Sequence, residues 1–229
     1  MLVQVVKRSL LALILACSLM ALVLLSLAGR LPSVQASGTR YVALDGVCGG
    51  PVPCYSSPQA AVDAASAGDE IRVAGGTYTG VQARNGLTNV VYISKSLVMR
   101  GGYLTPTWGT PDPAAHPTTL DAQNLGRVIY VDTGITVTLD GLRVTHGNAV
   151  IAGDSGRGGG VDLYGGTPII MNSTIVSNIA SFGGGVFGLG SNARLEANVI
   201  NLNTSIFGGG LYMISGKPVL IDNLIVTAR

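Results

Sequence analysis

The sequence predicts an all-β chain wound into a parallel β-helix, and three observations carry that reading. Glycine triplets recur at a fixed interval: Gly158-Gly159-Gly160, Gly183-Gly184-Gly185 and Gly208-Gly209-Gly210 lie 25 residues apart. The same interval links Val161/Val186/Leu211, Ile170/Leu195/Leu220 and Ile175/Ile200/Ile225, the aromatics Phe182/Phe207, and the amides Asn178/Asn203 and Asn198/Asn223. Between the triplets the residues are β-branched and alternating, as in Ile175-Val176-Ser177, with no run long enough for an amphipathic helix. A repeat of this length is a supersecondary unit that buries its apolar side only by stacking on its neighbours. Three short strands and three turns fill it, making one rung of the coil.

The residue types follow from that geometry. Stacked parallel strands sit about 4.8 Å apart, so equal positions in successive rungs form columns. Apolar columns line the interior. Asparagines at the turns are expected to bond to the rungs above and below, satisfying backbone groups that water does not reach. Glycine triplets suit turns of positive φ where a Cβ would strike the next rung.

Residues 1–36 open with Lys7 and Arg8, continue in an apolar run from Leu10 to Ala28, and close on Val34-Gln35-Ala36, a small-residue cleavage pattern. They read as a secretory signal peptide, with an uncleaved membrane anchor as the alternative. Three of the 14 basic residues and none of the 12 acids lie there, so the remainder carries a net charge near −1. That excludes a nucleic-acid surface and a polybasic membrane patch. A charged fraction of 11% and 33 glycines fit one elongated domain.

Residues 37–56 hold Cys48 and Cys54, expected to close a small disulfide loop in an oxidising compartment, with half a metal site as the weaker reading. Residues 57–67 are the one convincing helix. Ser57 caps it, Pro58 takes its first position, Gly68 ends it, and Ala60, Ala61, Ala64 and Ala65 form its apolar face. Laid across the mouth of the coil, it would cover core and strand edges. Residues 70–78 are the expected first rung.

Residues 57–78, with the alanine-rich helix, the Gly68-Asp69 turn and the strand Val73-Ala74-Gly75-Gly76-Thr77-Tyr78, resemble the opening of right-handed parallel β-helix proteins of the pectin-lyase-like superfamily. The resemblance extends through residues 93–102, Thr119-Leu120-Asp121-Ala122-Gln123, Leu139-Asp140-Gly141-Leu142-Arg143-Val144-Thr145 and the glycine-triplet rungs, to residue 229. It implies a right-handed, single-stranded parallel β-helix of about six rungs over residues 57–229, with a short N-terminal capping helix and an uncapped C-terminal end. The superfamily mixes polysaccharide lyases, glycoside hydrolases and surface proteins without known chemistry, so the resemblance alone licenses no reaction.

Residues 101–117 are rich in Pro, Thr and Gly, hold the single tryptophan, Trp108, and are expected to loop out of one rung. Trp108 with Tyr103 is either a sugar-stacking platform or packing over rung side chains. Residues 148–157 form a second excursion.

Glycoside hydrolysis needs two carboxyl groups about 5–9.5 Å apart. The polygalacturonase-like signature of Asn-x-Asp, Asp-Asp, Gly-His-Gly and Arg-x-Lys is absent; the nearest match is Thr145-His146-Gly147, which lacks the leading glycine and the acidic partners, so His146 reads as a turn residue ahead of a catalytic one. Pectate-lyase-like chemistry would need acids stacked with a base and calcium. Asp132, Asp140, Asp154 and Asp162 with Arg143 and Arg157 are the best set. The 25-residue register places Phe187 and Tyr212 above Asp162, which breaks a carboxylate column. If Val161 points inward, Asp162, Phe187 and Tyr212 point outward, and the two aromatics become a glycan-gripping candidate.

The expectation is therefore a secreted or cell-surface scaffold without catalysis of its own, with polysaccharide or surface glycan as ligand. The alternative is a polysaccharide lyase or glycoside hydrolase, and calcium enters only there; no other cofactor and no nucleic-acid partner is expected. Membrane contact is expected only through an uncleaved N-terminal segment. The last rung, left open near residue 229, suggests further rungs or end-to-end self-association.

Overall fold

The computed structural model describes residues 37–150 and 156–226. Residues 1–36, including Cys17, lie outside them, as does Asp154. Among the described residues no helix is long and apolar enough to cross a membrane.

The chain is essentially all-β and builds long parallel sheets, the arrangement of a parallel β-solenoid. From Glu70 onward it visits three sheets in rotation. One circuit runs Glu70–Ala74 in the first sheet, Gly76–Tyr78 in the second and Leu87–Ile93 in the third, and the next runs Leu97–Tyr103, Thr118–Asp121 and Arg127–Val131. The circuits continue through Val137–Asp140, Leu142–Thr145 and Val161–Tyr164, then Ile169–Met171, Thr174–Val176 and Val186–Leu189, then Arg194–Glu196, Val199–Asn201 and Leu211–Ile214. Val219–Ile221 and Leu224–Ile225 add to the first two sheets. Every pairing within these circuits is parallel, and the later ones adopt the 25-residue register: Val161↔Val186↔Leu211, Ile170↔Leu195↔Leu220 and Ile175↔Ile200↔Ile225.

The interior is apolar because alternation turns one side chain of each pair inward, and successive circuits place these over one another. Ile71, Met99, Leu139, Ile170 and Leu195 form one buried column, and Ile129, Val161 and Val186 another. Leu220 and Ile225, which extend such columns, are about half exposed.

Two amide ladders run along the corners. The Oδ1 of Asn203 accepts from both the backbone N–H and the Nδ2 of Asn178, and the Oδ1 of Asn178 accepts from Gly147 N–H. Ser173, Asn198 and Asn223 repeat the pattern at the next corner. Except at the partly buried Asn223, these side chains satisfy backbone donors and acceptors at turns sealed from water, where an unmet group costs about 1–3 kcal/mol.

Three features depart from the sequence reading. Residues 37–56 are more than a disulfide loop, since Thr39–Val42 and Cys54–Tyr55 join the first sheet as parallel strands. A fourth, two-stranded sheet, Ile179–Phe182 with Thr204–Phe207, gives the last full rungs an extra strand each. The helix spans Pro58–Ala64, its Ser57 side chain accepting from Ala60 N–H, and it buries Pro58, Ala61, Val62 and Ala65, not Ala60 and Ala64. Gln59 fixes it to the third sheet, exchanging hydrogen bonds with the backbone N–H and carbonyl of Tyr92. The antiparallel hairpin Gln82–Arg84 against Leu87–Ile93 covers that sheet's first edge.

Four tyrosines make the fold sensitive to alkali. Burial pushes the phenols of Tyr78, Tyr92, Tyr103 and Tyr130 up from their ordinary value near 10. The native state therefore holds protons that the unfolded chain has released. Stability is expected to be level below about pH 10 and to fall as pH rises beyond it. Urea unfolding midpoints between pH 8 and 12 check this; a midpoint unchanged to pH 12 would mean the phenols titrate normally.

Candidate functional site

Among the described residues, the acids and bases put forward for chemistry, Arg143 apart, are engaged in structural contacts. Asp140 ends a strand of the first sheet with its Oδ2 2.8 Å from Arg100 Nε, and its Oδ1 accepts from Asn172 Nδ2 at 2.9 Å. Arg100 also reaches Glu70, which holds Arg72, so charges of both signs alternate across the outer face of that sheet. Such partly exposed pairs contribute about 0–1 kcal/mol each; their consequence is that the Asp140 carboxylate is held by Arg100 and Asn172.

Asp162 and Phe187 correct the expectation of an outward, exposed row. Both do leave the interior side of the third sheet, yet each is only 1% exposed. Asp162 forms a buried ion pair with Arg127, Nη2 to Oδ2 3.1 Å, and the Arg127 Nε and Nη2 donate to the carbonyl of Arg157. Arg157 lies over the Phe187 ring at 5.3 Å and donates to the Tyr164 hydroxyl at 2.7 Å. Isolated bridges pair Asn148 with Ile179 and Arg157 with Phe182, so the flanks of the second excursion are tied to the fourth sheet. Tyr212 is half-buried among Phe182, Phe187 and Phe207.

The aromatic row is longer than its register showed. Tyr92, Tyr130, Asp162, Phe187 and Tyr212 are successive partners across the third sheet, and the Tyr92 and Tyr130 rings stack at 5.0 Å and 15°. Rings stacked this way present their faces to one another, leaving edges and hydroxyls outward. The Tyr92 hydroxyl is bonded to Asp132 and Asn85.

Trp108 and Tyr103 belong to a second, small core with Ala43, Cys48 and Ala74. The Trp108 indole N–H donates to the Cys48 carbonyl at 2.7 Å, and its ring meets Tyr41 edge-on at 4.9 Å. His146 stands exposed at a corner in the left-handed region, φ +51°, with its Nδ1 3.0 Å from Asp121 Oδ1. Sequence reading named the histidine and missed the carboxylate, although the two are one repeat interval apart. Cys48 and Cys54 form the expected disulfide.

On the exterior, a hollow of about 340 Å³ lies beside the helix, with Asp63, Arg84 and Lys95 in its lining, and a separate cleft lies at the corner between the first two sheets. Residues 104–117 loop out there and fold back. Gly102, at φ +85°, starts the excursion and donates to Thr118 Oγ1; the loop then returns through Asp112 N–H to the Gly102 carbonyl and Gly76 N–H to the Pro117 carbonyl. A Cβ on Gly102 would strike Pro113. On one side of Pro117 lies a hollow of about 360 Å³ with Thr77, Thr105, His116 and Thr119 in its lining; on the other, a hollow of about 200 Å³ includes Arg143, Asn172 and Thr174. Thr77, Thr119, Arg143 and Thr174 are successive partners in the second sheet, which makes them one outward column. Arg143 is exposed and forms no ion pair among the described residues.

No Asp or Glu lines either hollow of the cleft. The cleft can therefore donate and accept hydrogen bonds through hydroxyl, amide and guanidinium groups, but it lacks the two carboxyl groups that glycoside hydrolysis uses. Among the described residues no three His, Cys, Asp or Glu side chains converge as metal ligands. Comparison with protein-family models, with curated proteins and with solved structures finds no match to the chain.

Proposed function

We propose that the chain is a secreted or cell-surface scaffold, a right-handed parallel β-helix of the pectin-lyase-like kind, that retains polysaccharide in the cleft beside residues 104–117 without cleaving it. The observation that carries this reading is the lining of the cleft: a register-matched column of threonine hydroxyls and one guanidinium that forms no ion pair among the described residues, with no carboxyl group in the lining. Hydroxyl-bearing walls suit a polyol. Without acids they suit holding better than hydrolysis. Parallel strand connections are right-handed in the great majority of proteins, which favours that hand here. The disulfide fits an oxidising, extracellular setting, and the near-neutral charge after the leader argues against nucleic acid as partner.

The test is retention on immobilised polysaccharides alongside assays for turnover. Retention with no release of reducing ends or unsaturated uronides is expected, and Arg143→Ala is expected to weaken it about 10-fold, the loss of one charge-assisted contact. Calcium-dependent release of unsaturated uronides would establish the lyase alternative instead. Absence of retention on every glycan class would remove the binding role.

A further inference from the structure

We infer that the Cys48–Cys54 disulfide is a redox latch for the near half of the cleft wall, residues 104–110. Three contacts join the disulfide segment to that half-loop. The Cys48 carbonyl accepts the Trp108 indole N–H. The Cys48 side chain is buried in the same small core as Trp108 and Tyr103. Gly49 lies against Pro106 so closely that a Cβ there would collide with the proline ring. Trp108 itself sits at φ +48°, a left-handed conformation unfavourable for a bulky side chain and therefore maintained by its surroundings.

The far half of the wall does not depend on the disulfide. Asp112 N–H donates to the Gly102 carbonyl, His116 N–H to the Asp112 carbonyl, and Gly76 N–H to the Pro117 carbonyl. Opening the disulfide thus frees one half of the wall and leaves the other in place. The larger hollow, which Leu104 and Thr105 help to line, changes shape; the smaller one, beside Pro113 and Arg143, does not.

The chemistry is thiol–disulfide exchange with a dithiol reductant. Cys54 is half-buried and Cys48 only 3% exposed, so the incoming thiolate attacks the Cys54 sulfur and expels Cys48 as a thiolate. The second thiol of the reductant then closes on the mixed disulfide. The products are two protein thiols and one oxidised dithiol, with two electrons transferred. Residues 47–53 are then tethered at one end by the Gly46 N–H bond to the Ala43 carbonyl and at the other by the short pairing of Cys54–Tyr55 with Thr39–Val42, and the Cys48 carbonyl is no longer held beneath the indole.

Trp108 is the only tryptophan in the chain, so its emission reports this one position. The experiment treats the full chain with dithiothreitol under native conditions, confirms alkylation of Cys48 and Cys54 by peptide mass, and records emission, acrylamide quenching, far-ultraviolet circular dichroism and amide exchange. The expected result is red-shifted emission, several-fold greater quenching and faster exchange at Trp108. The sheet signal and the His116 amide should stay unchanged, and reoxidation should restore the starting state. The Cys48→Ser/Cys54→Ser double variant should match the reduced protein. Unchanged emission with both cysteines alkylated would overturn the latch. So would collapse of the sheet signal on reduction, which would make the disulfide a general staple. No glycan enters the measurement, so either outcome leaves the proposed binding function to its own test.

Discussion

Asp162→Ala is expected to lower stability by about 3–5 kcal/mol, the range for removing one partner of a buried ion pair. Arg127 and Asp162 have side-chain exposures of 0% and 2%, with 3.1 Å between Nη2 and Oδ2. Deleting the carboxylate leaves a guanidinium in a site where water cannot take its place. The pair as a whole is worth much less than that loss implies, because two charges were desolvated to form it. Arg127→Met combined with Asp162→Leu should therefore recover most of the stability. Equilibrium urea unfolding of the three proteins measures both effects. A loss below about 1 kcal/mol for Asp162→Ala would place the pair in the solvent-exposed class.

Asn178→Ala is expected to cost about 2–4 kcal/mol, because several backbone groups lose their partner together. Its Oδ1 accepts from Gly147 N–H, and its Nδ2 donates to the carbonyls of Val144 and Val176 and to Asn203 Oδ1. All of these contacts lie in a corner where Asn178 is 0% exposed. Asn223 serves as the control. It makes the same kind of contacts, accepting from Asn198 and donating to the Leu195 carbonyl, but it is only partly buried, so water can replace it. Asn223→Ala is expected to cost about 1 kcal/mol. Equal losses at both positions, read from urea midpoints, would show that the ladder's worth does not come from sealing buried backbone.

The parts of the fold that were legible are those where nothing interrupts the repeat. From Val161 onward one interval governs strands, glycines and asparagines alike. Upstream, Ile71, Met99, Leu139 and Ile170 share one column at spacings of 28, 40 and 31 residues. Insertions at the corners change the spacing without disturbing the column, and a fixed-period reading cannot follow them. For that reason Tyr92 and Tyr130 were not seen as the start of the row that holds Asp162, Phe187 and Tyr212. Residues 37–56 hid two strands because Gly- and Pro-rich turns surround very short segments.

Direction was easier to read than cover. Alternation places Asp162 and Phe187 on the outer side of the third sheet, but there Arg157 lies over the Phe187 ring and Arg127 pairs with Asp162, contacts between segments with no sequence signature. The buried face of the helix is hard to read from sequence for a related reason. With two turns, alanines on several sides look equivalent until a neighbouring strand selects Ala61, Val62 and Ala65. The His146–Asp121 pair, by contrast, obeys the 25-residue interval and was available to a search for polar partners at that spacing.

Cross-linking between rungs tests the central claim, that positions one repeat apart lie side by side. Thr174 and Val199 are outward partners on adjacent parallel strands, about 4.8 Å apart at Cα, within the span a disulfide bridges. Oxidation of the Thr174→Cys/Val199→Cys protein should join the two positions, as read by peptide mass. In the Thr174→Cys/Asn201→Cys protein, where the Cα atoms stand about 8 Å apart, the two cysteines should remain separate. Cross-linking in the second protein but not the first would contradict the register on which the coil, its ladders and its cleft are built.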